Sequence, residues 1–307
     1  MPSLRFLPVV LLVILLSNFA AGQRLYAPHS VLAAGNWYKV AVVKEGVYRV
    51  DVAFLNSLGI NTSALASSSI RLYGNGGGML PENNAAGRMD DLAENALAVM
   101  DGGDGIFNGS DYFLFYAPGP HGWEKDSINR SFRHRKNLYS DTAYYFLSLG
   151  GQGRRIRMQS PPPASSISVT AFDERYFYEN DLVNFLHSGK EWYGEEFSNN
   201  PGGPASRSFP VDWPGLQTAE PVQLVTDLAA RCVGGTGSFS VRVNNTPAQT
   251  ATFPAVTGYY LDPYAITRNQ SALLSISQPK MDIGFGWSSP VSGAQGWLNW
   301  FELHGRR

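Results

Sequence analysis

Short apolar segments separated by glycine- and proline-rich turns recur along the whole chain, and this pattern constrains its fold more than any other feature. The 307 residues include 32 glycines and 19 prolines, and the sequence has no long helical repeat of apolar positions. Segments such as 222–233 alternate in polarity, as strands with one buried face do. The sequence therefore predicts a mostly β protein, with a β-rich N-terminal domain followed by an antiparallel, jelly-roll-like β-sandwich.

Two changes in composition divide the chain. An apolar run near the N-terminus leads to small residues that end at Gly22, so we expect a signal peptide over residues 1–22. Three consecutive prolines at 161–163 lie in a serine-rich segment and indicate a linker. The predicted domains are therefore residues 23–160 and residues 161–307. The apolar run is too short for a transmembrane span, and no later segment is longer.

The charge of the chain gives little guidance to its partners. A formal net charge of -1 offers no electrostatic reason to expect a nucleic acid. Basic residues cluster at 130–136 and at 154–157, but no aromatic platform or helical pattern accompanies them. We therefore expect both clusters to be exposed loops, with an anion-binding patch or a proteolytic processing site as the alternatives.

The first domain is predicted to begin with a β-hairpin. Segments 37–43 and 47–50 alternate in polarity around a Lys-Glu-Gly turn, which is the pattern of two paired strands. Asp51 can cap a short helix after the second strand, and Gly59 can end that helix in the left-handed conformation. Segment 92–100 is ambiguous between helix and strand.

A glycine-rich turn at 101–111 carries four short polar side chains and leads into the apolar strand 112–117. Two interpretations are open. The side-chain oxygens could hold calcium, although their spacing fails the EF-hand pattern, or they could bond the local backbone while glycines supply positive φ. The candidate metal ligands are Asp101, Asp104, Asn108 and Asp111.

Acids flank aromatic residues at 191–196, a composition that suits contact with a sugar. The paired carboxylates of a glycoside hydrolase could come from this cluster, but the cluster has no partner elsewhere in the sequence. Noncatalytic carbohydrate contact and a plain surface turn are the other interpretations. The candidate binding residues are Glu191, Trp192, Tyr193 and Glu195.

The single cysteine, Cys232, lies in a segment that alternates like a strand, which predicts a buried structural thiol. The alternative is a nucleophilic thiolate with His187 as its base, but neither residue has the surroundings that such a pair needs. No zinc motif or nucleotide fingerprint occurs. We therefore predict no catalytic residue and no cofactor other than the calcium considered above.

Seven short motifs occur along the chain, and their order matters for the comparison that follows. They lie at 46–48, 70–74, 101–107, 111–116, 139–145, 188–197 and 296–303. The first five resemble, in this order, the region ahead of the catalytic domain in gingipain-like cysteine peptidases. The last two are similar, more narrowly, to the sortases of the type IX secretion system. The resemblance covers roughly residues 37 to 307.

This resemblance implies a protein exported to the cell surface or outer membrane of a Gram-negative bacterium. The sortases of this family are cysteine peptidases that process the C-terminal sorting signals of secreted cargo. Their catalytic histidine and cysteine belong to a separate domain, and no position of this chain matches either motif. The resemblance therefore implies a noncatalytic segment that lacks the catalytic domain and is inactive alone.

The implied partners are a downstream catalytic domain, other components of the secretion system, and cargo proteins. Within such an enzyme the segment would act as a scaffold, as a prodomain or as a docking region for cargo. The competing hypothesis is a stand-alone surface module that binds glycans through Trp192, Tyr193 and the nearby acids.

Overall fold

The computed structural model describes residues 26–128, 131–157, 159–187 and 191–307. The predicted signal peptide at 1–22 lies outside these residues. The described part of the chain is mostly β, as predicted, and its strands pair in antiparallel ladders. It divides into two compact units. Described residues up to Pro120, together with 141–157, form the first unit, and the others form the second.

The first unit contains two small antiparallel sheets and one short helix. Its elements are β1 (Tyr38–Val42), β2 (Gly46–Asp51), α1 (Val52–Ser57), β3 (Ile70–Tyr73), β4 (Glu94–Asn95), β5 (Ala98–Met100), β6 (Tyr112–Ala117) and β9 (Ala143–Leu149). One sheet has the order β1-β9-β3-β4, and the other has the order β2-β6-β5. Segment 92–100, which was ambiguous in the sequence, therefore contributes the short strands β4 and β5.

The predicted hairpin between β1 and β2 is wrong, because the two strands belong to different sheets. β1 pairs with β9, whereas β2 pairs with β6. Val42 and Val50 are both buried in one core that residues of both sheets line. Alternation identified the buried residues of each strand, but it does not specify the partner, and here the tertiary pairing overrides the local turn.

The helix boundaries follow the sequence closely. The Asp51 carboxylate accepts a hydrogen bond from the Phe54 backbone N–H at 3.0 Å, so it caps α1 as predicted. Gly59 follows the helix with a φ of +82°, a conformation that glycine adopts without strain. Leu55 is fully buried and anchors the helix on the core of the first unit.

The second unit is an antiparallel β-sandwich. Its elements are β7 (Gly122–Asp126), β8 (Ser131–Arg135), β10 (Asp173–Glu179), β11 (Glu196–Ser198), β12 (Ser206–Asp212), β13 (Val222–Arg231), β14 (Gly237–Val243), β15 (Thr246–Phe253), β16 (Ile266–Leu274), β17 (Lys280–Ser288) and β18 (Gln295–Arg306). A five-stranded sheet has the order β10-β18-β13-β16 with β11 beside β18. A four-stranded sheet has the order β12-β17-β14-β15.

Aromatic side chains dominate the core of the sandwich. Phe239, Phe253, Phe285 and Phe301 are almost completely buried, and several of these rings meet at centroid distances of 6.0–6.1 Å. Rings of this size remove a large apolar area from water and pack well at such spacings. The core can therefore stabilise a sandwich that contains no disulfide.

The hairpin β7–β8 precedes the sandwich in sequence but belongs to the second unit. The basic segment 130–136, predicted as an exposed loop, is therefore largely strand β8 and the residue that follows it. Basic segment 154–157 is also more structured than predicted. Arg155 is partly buried and donates to the carbonyl oxygens of Ile70 and Ser67.

Candidate functional site

The aspartate turn, residues 101–111, bonds its own backbone. The carboxylates of Asp101 and Asp104 accept from the N–H groups of Gly103 and Ile106, at 3.1 Å and 2.9 Å. The Asp111 carboxylate accepts from the Asn108 N–H at 2.8 Å. These are the local Asx-type bonds that the second interpretation of the sequence requires.

The aspartate turn also directs the chain into the core of the first unit. Two backbone hydrogen bonds join it to segment 65–67. The Phe107 N–H donates to the Leu65 carbonyl oxygen at 2.7 Å, and the Ser67 N–H donates to the Gly105 carbonyl oxygen at 2.9 Å. Phe107 is fully buried beside Phe113 of β6. In the described part of the chain, no three His, Cys, Asp or Glu side chains cluster as a metal site would require. Calcium binding at the turn stays a prediction.

The four candidate binding residues near position 193 do not share one surface. Glu195 is buried and accepts hydrogen bonds from the Tyr178 hydroxyl, at 2.5 Å, and the Asn180 amide, at 2.7 Å. Burial and this contact raise the pKa of Tyr178. Trp192 is exposed, and Tyr193 is buried against the ring of Phe185. Glu195 is therefore a structural group of the sandwich rather than part of an open site.

Glu191 and Tyr193 do come together, at a cavity of about 230 Å³ that we call the aromatic cavity. Phe185 stacks on Tyr193 at a centroid distance of 4.3 Å and contacts Tyr264 at 5.1 Å. Burial raises the pKa of Tyr193 to about 12, and the negative charges of Glu191 and Asp227 add to the shift. The lining residues are Asn184, Phe185, Leu186, Glu191, Tyr193, Pro263, Tyr264, Ala265 and Thr267.

A larger cavity, of about 470 Å³, lies where the β7–β8 hairpin meets the outer face of the five-stranded sheet. We call it the sheet groove. Glu302 lines it and bridges two of its other residues: one carboxylate oxygen accepts from the His134 N–H and the other contacts His304 Nε2, both at 2.9 Å. The lining residues are Asp126, Ser131, Phe132, Arg133, His134, Phe177, Glu179, Gln223, Val225, Asn269, Ser271, Trp300, Glu302 and His304.

Charged groups beside the sheet groove are held in partly dehydrated positions. The Lys136 ammonium lies 2.8 Å from Asp181 and 3.8 Å from Glu179. Burial raises the pKa of Glu179 to about 7 although Lys136 opposes the shift. Burial also lowers the pKa of His134 to about 3, with help from the positive charges of His121 and Lys136. His134 is therefore neutral when it stacks on Phe177.

Sequence reasoning missed the sheet groove because five segments that are distant in sequence form it. One signal was present: in 300–304 the polar residues Glu302 and His304 alternate with the buried residues Phe301 and Leu303. That alternation indicates a polar outer face on β18. The sequence did not indicate that the hairpin, more than 160 residues earlier, would cover this face.

Cys232 is fully buried in the sandwich core, as predicted for a structural thiol. Burial raises the pKa of the thiol, and a hydrogen bond with Ser289 opposes the shift only in part. The thiolate, which is the nucleophilic form, is therefore disfavoured. A role as nucleophile with His187 as base has no support in this geometry.

Comparison with family models gives no match, and comparison with the sequences of curated proteins gives none either. Among solved structures, the chain is similar to dimeric latent PorU from Porphyromonas gingivalis. The match covers 92% of this chain and 25% of PorU, with a TM-score of 0.69 and 23% sequence identity. Both units therefore have the fold of a part of PorU, and the chain spans about a quarter of that protein's length.

Carbohydrate-binding modules also match, much more weakly. A CBM36 module in complex with calcium and xylotriose is 9% identical, with 44% of this chain and 99% of that chain covered and a TM-score of 0.28. The C-terminal CBM6 of LamC from Zobellia galactanivorans is 16% identical, with 44% and 98% covered and a TM-score of 0.24. Likenesses of this degree give no support to the stand-alone glycan module.

The described residues include no helix that is both long enough and apolar enough to cross a membrane.

Proposed function

We propose that the chain is an exported, noncatalytic segment of a PorU-like sortase of the type IX secretion system. Such an enzyme is a gingipain-like cysteine peptidase that processes the C-terminal sorting signals of cargo at the outer membrane. The observation that carries this proposal is the fold shared with PorU over 92% of the chain at a TM-score of 0.69. The order of the seven sequence motifs, read independently of the structure, supports the same family.

In this proposal the segment serves as a scaffold or prodomain for a catalytic domain, or as a docking region for cargo. The chemistry of its side chains supports a noncatalytic role. The Cys232 thiol is buried with a raised pKa, and His134 is neutral and packed against Phe177. Export would depend on the predicted signal peptide at 1–22.

The first test is the reading frame beyond codon 307 of the gene. We expect it to continue into a domain that contains a catalytic histidine and, after it, a catalytic cysteine. A stop codon directly after Arg307 in the natural gene would contradict the proposal and favour a stand-alone module.

The second test is an assay of the chain alone against a broad library of fluorogenic peptides. We expect no cleavage, because the chain supplies no accessible thiolate. Cleavage that disappears in a Cys232→Ala variant would show that the chain is itself a peptidase. A Ser240→Ala variant, altered on the exposed side of β14, serves as the matched control for an unrelated substitution in the same sandwich.

A further inference from the structure

The chain contains two Asn-Gly dipeptides, Asn75-Gly76 and Asn108-Gly109. An asparagine that precedes a glycine is chemically labile, because the glycine nitrogen can attack the carbon of the side-chain amide and close a five-membered ring. Glycine favours this attack, since it has no β-carbon to obstruct the approach and its backbone adopts many conformations. The two dipeptides are equivalent in sequence, but their surroundings in the folded chain differ.

The side-chain amide of Asn75 is fixed at both ends. Its Nδ2 donates to the Asp91 carbonyl oxygen at 3.0 Å, and its Oδ1 accepts from the Ala93 N–H at 2.8 Å. These bonds join the residue to the segment that leads into β4. Ring closure requires the amide carbon to rotate toward the Gly76 nitrogen, and both hydrogen bonds oppose that rotation.

The side-chain amide of Asn108, in the aspartate turn, is not fixed. It forms no hydrogen bond with any described residue, and the Gly109 N–H forms none either. Only the backbone of Asn108 is bonded: its N–H donates to the Asp111 carboxylate at 2.8 Å, and its carbonyl oxygen accepts from the Asp111 N–H at 3.0 Å. The amide carbon can therefore approach the glycine nitrogen without the loss of a side-chain hydrogen bond.

Access to water predicts the opposite order of reactivity. Asn75 is exposed and Asn108 is only partly exposed, so exposure alone would make Asn75 the more reactive residue. Gly109 is exposed, however, and a β-carbon at this position would meet no atom within 4 Å. The nitrogen that must attack therefore has room to move. Hydrogen bonding and exposure thus make different predictions, which an experiment can separate.

We propose that Asn108 is a modification site at which the folded chain converts asparagine spontaneously to aspartate and isoaspartate, whereas hydrogen bonds protect Asn75. The Gly109 nitrogen loses its proton and bonds to the amide carbon of Asn108. The bond from that carbon to Nδ2 breaks, and Nδ2 takes up a proton and leaves as ammonia. This proposal does not depend on the enzyme to which the segment belongs.

Water completes the reaction by opening the succinimide ring. Cleavage of the bond between the side-chain carbonyl carbon and the Gly109 nitrogen gives aspartate. Cleavage of the bond between the main-chain carbonyl carbon and that nitrogen gives isoaspartate. The net change is the hydrolysis of one amide to one carboxylate and ammonia, so no oxidant or reductant is needed.

Either product alters the aspartate turn. Each adds a carboxylate to a turn that already contains those of Asp101, Asp104 and Asp111. Isoaspartate also carries the main chain through the former side chain, so the carbonyl group that accepts from the Asp111 N–H becomes part of a free carboxylate. Phe107, directly before the site, is fully buried. The modification therefore changes the turn at the point where it enters the core of the first unit.

The test is peptide mapping of the full chain after incubation in mildly alkaline buffer. Trypsin cleaves after Arg71, Arg88 and Lys125, so the two sites fall in different peptides, 72–88 and 89–125. Mass spectrometry follows the conversion of amide to acid, and an isoaspartyl methyltransferase labels isoaspartate. We expect Asn108 to react roughly tenfold or more faster than Asn75, because the two hydrogen bonds of Asn75 must first be released.

The chain unfolded in urea is the matched control, because neither dipeptide then has its folded surroundings. We expect the two sites to react at similar rates in urea, and folding to slow Asn75 far more than Asn108. An Asn108→Gln variant, which would have to close a six-membered ring, should give almost no product at position 108 and leave the rate at Asn75 unchanged. Equal rates at the two sites of the folded chain, a faster reaction at Asn75, or no product at Asn108 of a folded chain that reacts when unfolded would each overturn the proposal.

Discussion

The aspartate turn and the sheet groove both hold carboxylates in specific hydrogen bonds, but they differ in where the partners come from. In the turn, Asp104 bonds an N–H only two residues away, and Asp111 bonds one three residues away. In the groove, Glu302 bonds an N–H that is 168 residues away in sequence. The hydrogen bonds of the turn join residues that are close in sequence, whereas those of the groove form only when distant segments of the chain come together.

This difference has an energetic consequence. Asp104 is exposed and Asp101 and Asp111 are partly exposed, so bonds of these carboxylates replace bonds to water at little net gain. Glu302 is 4% exposed, so loss of its carboxylate leaves the His134 N–H without a partner in a partly dehydrated place. We therefore expect substitutions in the groove to cost more stability than equivalent substitutions in the turn.

The largest expected effect is that of Glu302→Ala. We expect the free energy of unfolding of the second unit to fall by about 2–3 kcal/mol, because a buried charged acceptor is removed and its donors are not satisfied. Urea unfolding followed by tryptophan fluorescence measures this change, since Trp123 and Trp300 lie close to the site.

Glu302→Gln is the control for the loss of charge alone. Its amide oxygen can still accept from the His134 N–H, so this variant should keep most of the stability. If Glu302→Ala unfolds like the unmodified chain, the hairpin is not held by this carboxylate and the comparison with the turn fails.

A smaller effect is expected on the loss of stability that accompanies acidification, which the His134→Phe variant should reduce. The folded pKa of about 3 lies below the ordinary value of 6.5, so between these pH values the unfolded chain binds a proton that the folded chain does not. Stability that His134 supports above pH 6.5 is therefore lost on acidification. Phenylalanine keeps the ring on Phe177 and the N–H on Glu302 but cannot titrate.

The measurement is urea unfolding at pH 7.5 and pH 4.5 for both chains. We expect the unmodified chain to lose about 1 kcal/mol more than the variant over this interval, after allowance for the partial exposure of the ring. Glu179, whose folded pKa is about 7, changes stability in the opposite direction, toward greater stability at acid pH, but it does so in both chains. An equal loss in the two chains would show that His134 is not the group that responds.

The same contrast explains how much the sequence could predict. The cap of Asp51, the left-handed Gly59 and the bonds of the aspartate turn are local, and each followed from residue type and spacing. The mostly β fold followed from alternation and turn composition. The sheet partners of β1 and β2 did not, because alternation places side chains on faces but does not pair strands.

The candidate site was only partly predictable for the same reason. Glu191 and Tyr193 were identified from composition, but Phe185 and Tyr264, which complete the aromatic cavity, come from other segments. Glu195 has the same acid–aromatic neighbourhood in sequence as Glu191, yet it is buried and bonded to Tyr178. Sequence adjacency therefore did not distinguish a structural carboxylate from one that faces a cavity.

The smallest expected effect is in the aspartate turn itself. We expect Asp104→Ala to lower the free energy of unfolding by about 0.5–1 kcal/mol, because one local hydrogen bond to the Ile106 N–H is lost and water can replace it. Since the carboxylates of Asp101, Asp104 and Asp111 each already accept a hydrogen bond from a backbone N–H, we expect chelation with EDTA to leave the melting temperature unchanged. A melting temperature that falls on chelation, recovers with added calcium, and no longer responds in Asp104→Ala would make the turn a calcium site. A bound metal ion would then stabilise the turn, whereas contacts within the protein stabilise the sheet groove.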